Sequence, residues 1–552
     1  MTNNGRLTVG ILTVNLAGAS LLYLASLTSD SFGYYHDDGI YVVTAKALAT
    51  GQGYRIVSLP YEPAQTKYPP FYPVLLSLIW RVDPQFPQNL FPMMLFSVVA
   101  TIAFLTLTWL YLTKEHYATG WLALMIVALT AINWRTIILA TGIYSEMVYS
   151  ALSIAGLWLA EACERKRESW FKMAVVGMVL GLAFLTRASG ISLMIAVISF
   201  YLFHNKFREA SLIFAIGGSF IFAWIVWCAT GGTKIVGISV PYYTSYVRDF
   251  IGGVDNFETL AKIIGINAFM LLLTSIPLVS LGIAYEQAQN ILGQNLIVIS
   301  LIFITLVFLV IVRGFLRHMR KGFRLLHIYV LLYLGLHLLW PYMPYDRFVV
   351  PILPFLLLFL ITELGIMADL ARKELISAPG RQIGRKVSSV FVSLFLLVMV
   401  SVGSYQYATG IYQSIVAKRI SSRRALEDRQ VFQWISANTD PADVLICYRD
   451  PQYFLYTGRK AVRSFAPRSL AQNQNDEPAK VISRIIDESR GQYLILTSSD
   501  FEQEYQSELV RKTYEDLIHK FPEIFIPEFR SEDGRTAIYS IQRHDAHTKQ
   551  FS

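Results

Sequence analysis

Tyr34-Tyr35-His36-Asp37-Asp38-Gly39-Ile40-Tyr41 opens a polar loop directly after the hydrophobic run Leu7–Leu27, and about thirty residues on the chain reads Lys67-Tyr68-Pro69-Pro70-Phe71-Tyr72-Pro73. Two adjacent carboxylates held against a membrane face, with a lysine and a proline-set turn behind them, cost free energy unless something reactive or cationic is handled there. The stretch points to chemistry at a membrane surface.

Working outward, hydrophobic residues make up 54% of the 552 and charged residues 16%, and the mean hydropathy is +0.43. Many apolar runs approach the roughly 20 residues that cross a bilayer, so the expected fold is an all-α polytopic membrane bundle. Spans are expected near Leu7–Leu27, Phe91–Leu112, Trp121–Ile138, Tyr144–Ala162, Phe171–Thr186, Ser189–Phe203, Leu212–Ala229, Gln294–Arg313, Leu325–Met343, Phe348–Leu370 and Val387–Tyr405. Ile263–Ala284 is also apolar, and either it is re-entrant or lies in the interface, or a further crossing hides in a less apolar stretch between Ala229 and Arg313. The first run is expected to be a retained helix, because no small-residue cleavage pattern follows it.

The net charge of +9 does not point to nucleic acid, since the basic residues sit in short clusters between apolar runs. Arg165-Lys166-Arg167, Lys206 with Arg208, Arg317 through Arg324, and Arg372-Lys373 with Arg381, Arg385 and Lys386 should face the cytoplasm. That parity gives about 11 or 13 transmembrane helices and an extracytoplasmic carboxyl-terminal region. Three distant cysteines, Cys163, Cys228 and Cys447, form no metal-ligand spacing or disulfide framework.

The expected organisation is a transmembrane domain over 1–410 and a soluble extracytoplasmic α/β domain over 411–552. In the second, Asp443–Cys447 and Gln492–Thr497 read as strands, and Ser422–Ala437 and Glu502–Phe521 as helices. The first extracytoplasmic loop, 29–90, reads as two interfacial helices, Asp38–Ala49 ended by glycines and Phe71–Trp80 after the Pro69-Pro70 break.

Asp37 and Asp38 could cap a helix or perform chemistry, or divide the two tasks. Glu146, in Tyr144-Ser145-Glu146, begins a span on the same expected side. Such carboxylates suit a general base with a supporting acceptor, a divalent metal, or a cation pathway. Lys67, Arg187 in Leu185-Thr186-Arg187, and Arg347 after Tyr345-Asp346 fall on that side too, where positive charge is under-represented. They could hold a phosphate by forked hydrogen bonds, snorkel, or pair with Asp346. Lipid-linked phosphosugar chemistry needs no ATP, and no G-x-x-x-x-G-K-[ST] loop is present.

These motifs, with Arg347-Phe348 through Pro351 and Pro354, resemble in order and topology the GT-C superfamily of integral-membrane glycosyltransferases, specifically the bacterial branch related to protein O-mannosyltransferases and aminoarabinose transferases. The resemblance covers about the first 360 residues. It implies an inverting transferase in the bacterial inner membrane, taking a sugar from a polyprenyl-phosphate donor to an envelope lipid, glycan or protein. It implies Asp37 as catalytic base with Asp38 and Glu146 beside it, and Lys67, Arg187 and Arg347 as donor phosphate contacts. His36, Tyr41, Tyr68 and Tyr345, in the same motifs, are the expected substrate contacts. Some members bind a divalent metal, for which no complete ligand set is matched here. The alternative is a multi-pass transporter or lipid flippase using the same carboxylates as a cation or proton site, which would show inverted halves and mid-span charges.

Overall fold

A computed structural model describes residues 3–33, 36–165, 170–231, 243, 245, 254, 256–283, 285–340, 342, 346–376, 383–465, 478–497, 507–532 and 534–542. The helices, in chain order, are α1 (Asn3–Ser26), α2 (His36–Ala49), α3 (Phe71–Val82), α4 (Leu90–Lys114), α5 (Gly120–Ile132), α6 (Trp134–Thr141), α7 (Glu146–Arg165), α8 (Trp170–Thr186), α9 (Gly190–Phe203) and α10 (Phe207–Gly231). They continue with α11 (Phe257–Asn267), α12 (Ile276–Ser280), α13 (Tyr285–Arg320), α14 (Leu325–Leu338), α15 (Leu353–Ile376) and α16 (Ile383–Asn438), then α17 (Asp450–Thr457), α18 (Pro478–Ser489) and α19 (Ser507–Lys520). By its internal contacts the chain divides into two units. The first is Met1–Leu27, Met94–Phe222 and Ala261–Ala417, and the second is Thr28–Met93, Ala223–Leu260 and Lys418–Ser552.

Among the described residues seven helices are long and apolar enough to cross a membrane, or eight if the bent pair α5 and α6 is one span. Shorter apolar helices, including α8, α9 and α14, accompany them. The protein is an integral membrane protein of mostly helical architecture. The expected single span Trp121–Ile138 is broken, because α5 and α6 meet at 63°. Asn133 makes the break: its Oδ1 accepts from the Arg135 amide at 3.1 Å, capping α6, while its Nδ2 donates to the Val279 carbonyl at 2.8 Å.

The apolar segment after Phe257 is a continuous 24-residue candidate span, Phe257–Ser280, in which α11 and α12 flank an eight-residue π-helix, Ala268–Ser275. Thr274 and Ser275 hydroxyls donate to the carbonyls five residues back, Phe269 and Met270, at 3.2 and 2.9 Å. Ending the turn before it, Asn267 Nδ2 donates to Leu338 and Trp340 carbonyls at 2.9 and 2.8 Å.

Within the first unit, buried charge is gathered at both ends of α7. Glu146 opens the helix, and Glu161 lies fifteen residues later, about 22 Å along the axis at 1.5 Å per residue. At the far end Glu161 accepts from Arg324 Nη2 at 2.7 Å and from the Tyr117 hydroxyl at 2.5 Å. Beside it Glu115 pairs with Arg165 at 2.7 Å. Glu363 of α15 receives Arg313 and Arg317 of α13 at 2.9 and 2.7 Å. Helices α13 and α15 cross tightly at Gly314, where a Cβ would lie 2.1 Å from the Phe359 carbonyl oxygen.

The second unit holds a five-stranded sheet of order β2-β1-β3-β5-β4, with β1 Val444–Cys447, β2 Lys460–Arg463, β3 Tyr493–Thr497, β4 Phe525–Arg530 and β5 Thr536–Ile541. β1 is parallel to β2 and β3, and β5 is antiparallel to β3 and β4. Phe432 and Ile435, near the end of the 56-residue α16, pack with Leu445, Tyr453, Ile495 and Ile538 in its core. The expected helix Ser422–Ala437 is thus the end of α16, and of the expected helix Glu502–Phe521 the part Ser507–Lys520 is α19, while 502–506 lie outside the described residues. The loop 29–90 belongs to this unit. The Ala461 amide donates to the Ser58 carbonyl at 2.9 Å, and Lys460 Nζ reaches the Val57 carbonyl and Glu62 at 2.5 Å each.

The α13–α15 crossing gives a direct test. Gly314→Ala should destabilise the detergent-solubilised protein by about 1–3 kcal/mol, because backbone must shift to admit the methyl group. Thermal unfolding followed by tryptophan fluorescence measures this; an unchanged midpoint would show that the helices separate freely.

Candidate functional site

In the second unit, the start of α2 separates the two adjacent aspartates. Asp38 is buried, its Oδ2 accepting from the Gly33 amide at 2.8 Å and its Oδ1 from the Gly39 amide at 2.7 Å. It ties down the loop and the first turn of α2. Asp37 is half-buried and accepts from the Tyr68 hydroxyl at 2.5 Å. Tyr41 packs its ring edge-on to Tyr68 at 5.2 Å and to Tyr72 at 5.1 Å, so it braces the phenol.

Lys67 and Tyr68 are set by a side chain that imitates a turn. Gln65 Oε1 accepts from the Lys67 amide at 2.8 Å and the Tyr68 amide at 3.2 Å, and the Tyr54 hydroxyl donates to the Tyr68 carbonyl at 2.8 Å. The last turns of α10 hold the same strip, with Trp227 Nε1 donating to the Gln65 carbonyl at 2.9 Å. Lys67 is buried, its ammonium 5.6 Å from the Tyr68 ring centroid. His36 Nε2 bonds Asp450 Oδ1 at 2.7 Å. Burial pushes the His36 pKa below its ordinary value and Arg463 adds to this, against the opposing pull of Asp450.

In the first unit, Glu146, Arg187 and Arg347 come together. Glu146 Oε1 pairs with Arg187 Nη1 at 2.9 Å and Arg347 Nη1 at 3.6 Å, and Ser145 Oγ accepts from Arg187 Nη1 at 3.0 Å. The buried Glu146 carboxylate thus sits beside two guanidinium groups. Phe348 stands 5.8 Å from the Arg187 guanidinium and 5.5 Å from that of Arg347, and its carbonyl accepts from the Tyr333 hydroxyl at 2.9 Å. Arg187 ends α8 in a turn that requires glycine, since a Cβ on Gly190 would lie 2.5 Å from the Phe184 nitrogen. Asp346 is engaged by Arg135 of α6, which leaves Arg347 to Glu146. Tyr345 lies outside the described residues.

Asp38 spends both oxygens on amides and Glu146 faces two arginines, and no group of three His, Cys, Asp or Glu side chains suited to an ion occurs among the described residues.

No protein-family model and no curated protein sequence matches the chain. Solved structures do. ArnT from Cupriavidus metallidurans bound to undecaprenyl phosphate matches with TM-score 0.53 at 12% identity, over 96% of this chain and 98% of that one. The archaeal oligosaccharyltransferase AglB from Archaeoglobus fulgidus, in complex with an inhibitory peptide and a dolichol-phosphate, matches with TM-score 0.55 at 12% identity, over 99% of this chain and 75% of that one. The chain has the fold shared by ArnT and AglB.

On this scaffold several side chains join those expected from the motifs. Arg135 is the single charge in its apolar run, a signal that marks an intramembrane arginine with a partner. Gln65 and Tyr54 left no such signal, because they act on backbone. Asp450 is 414 positions from His36, too far for any local pattern.

Two outcomes follow from this geometry. Arg135→Ala, which leaves Asp346 without its buried partner, should cost about 3–5 kcal/mol in unfolding measurements, and Asp346→Ala added to it should cost little more. Full additivity would show that the two do not interact. For His36, the folded form holds a lowered pKa, so it binds fewer protons than the unfolded chain below about pH 6.5, and its contribution is lost as pH falls. The drop in melting temperature between pH 7 and pH 5 should be smaller in His36→Gln than in the parent; an equal drop would contradict it.

Proposed function

We propose that the protein is a glycosyltransferase that takes a sugar from a polyprenyl-phosphate donor and transfers it, with inversion, to a hydroxyl of an envelope lipid, glycan or protein. The reading places it in the bacterial inner membrane with the reacting residues and the C-terminal region on the extracytoplasmic side. The observation that carries it is the pairing of Arg187 and Arg347 with one carboxylate, Glu146. Two guanidiniums held side by side suit a phosphate monoester through their forked donors. The GT-C neighbours ArnT and AglB, solved with undecaprenyl phosphate and a dolichol-phosphate, support a lipid phosphate of this kind.

In the proposed step Asp37 removes the proton from the acceptor hydroxyl as its oxygen attacks the anomeric carbon. The bond from that carbon to the phosphate oxygen breaks, and its electron pair leaves on the lipid phosphate. Lys67, Arg187 and Arg347 take up the departing charge, Glu146 orients the two arginines, and Tyr68 aims the Asp37 carboxylate. Asp38 keeps α2 in place. A cation or proton pathway would need these carboxylates for the ion, whereas Asp38 is bound to amides and Glu146 to arginines.

Purified protein in lipid nanodiscs tests the assignment. Asp37→Asn should lower transfer by about 10²–10⁴-fold while leaving lipid-phosphate binding intact. Arg187→Ala and Arg347→Ala should each weaken that binding by about 10–100-fold, in line with roughly 1.5–3 kcal/mol for a charged hydrogen bond. Full transfer by Asp37→Asn would remove it as the base, and unchanged binding in both arginine variants would remove the phosphate site.

A further inference from the structure

The first three residues of α17, Asp450-Pro451-Gln452, all press on the segment that carries Asp37. The Asp450 side chain is fully buried, and its carboxylate accepts from His36 Nε2, which fixes the proton on that nitrogen. Pro451 lies so close to α2 that a Cβ on Gly39 would sit 2.8 Å from its own Cβ. Gln452 Nε2 donates to the Phe32 carbonyl at 3.2 Å, and its Oε1 would be 2.5 Å from a Cβ on Gly33, a residue at φ +87° whose amide is held by Asp38.

A clamp needed for stability alone is served as well by apolar packing, since a buried charged pair often stabilises no more than hydrophobic groups of similar volume. A buried carboxylate on a histidine instead fixes a direction. Here that direction belongs to the residue next to Asp37. The carboxylate of Asp37 accepts from the Tyr68 hydroxyl, and Tyr68 is itself held through Gln65 and Tyr54.

We propose that Asp450, acting through His36, is a positioning residue for Asp37, so that the C-terminal α/β region is a working part of the transferase and sets the angle of its base. The inference rests on the reading of Asp37 as that base. His36, in an expected substrate-contact motif, takes the role of relay between Asp450 and the α2 backbone.

The experiment compares Asp450→Ala, Asp450→Asn, His36→Ala and the double alanine variant of the full-length protein in nanodiscs, reading kcat and donor KM separately. Asp450→Ala and His36→Ala should each lower kcat about 10-fold or more with KM within about 2-fold, and the double variant should be no slower than either single one. Asparagine keeps an oxygen that can accept from His36 Nε2, so Asp450→Asn should stay within about 3-fold of the parent. Unchanged kcat in Asp450→Ala, a change confined to KM, or multiplying losses in the double variant would each overturn the proposal. Hydrogen exchange keeps its failure apart from that of the base assignment. Asp450→Ala should speed exchange at amides 36–41 whether or not Asp37 proves to be the base, and unchanged exchange there would overturn the clamp.

Discussion

A carboxylate buried in a helical bundle must be matched by positive charge, because the interior offers no water to solvate it. The first unit obeys this at both ends of α7, and the two ends obey it differently. At Glu161 and Glu115 the acids and bases balance among Arg324, Arg165 and Tyr117, a closed arrangement that ties α7 to its neighbours. At Glu146 two arginines, Arg187 and Arg347, converge on the carboxylate, and on the proposed reading their forks also serve a lipid phosphate.

The second unit shows how a pair of identical side chains is divided by local geometry. Asp38 faces two amides and becomes part of the backbone framework, while Asp37, one residue earlier, faces a phenol. The framework that does this is assembled from remote segments: the Gln65 turn, the end of α10, and the start of α17. On the proposed reading, the precision of the base comes from this convergence and not from Asp37 itself. The cost of placing charge and polar groups out of water is offset by hydrogen bonds that only one arrangement satisfies.

Much of this was legible in the sequence, where period and length carry the information. The apolar runs, the helix after the Pro69-Pro70 break and the strands near Val444 and Tyr493 were all read from local pattern, and local motifs named the candidates Asp37, Lys67, Glu146, Arg187 and Arg347. Pattern failed where a polar side chain serves a distant backbone. Asn133 breaks a run that looks continuous because its partner, the Val279 carbonyl, is 146 positions away. Pairing of Arg347 with the adjacent Asp346 was one of the readings left open, and the structure instead engages Asp346 with Arg135 and Arg347 with Glu146. The continuous α16 joins a span and a soluble helix that composition separates, since the change of composition does not interrupt helical hydrogen bonding.

The central claim is that the sugar travels on a lipid phosphate, and the measurement that tests it most directly is mass spectrometry of envelope lipids and glycans from native cells with and without the gene. Deletion should remove one sugar from an envelope glycan, lipid or protein and make a polyprenyl-phosphate carrying that same sugar accumulate. An unchanged glycan profile with altered ion or lipid distribution across the membrane would contradict the account and favour transport.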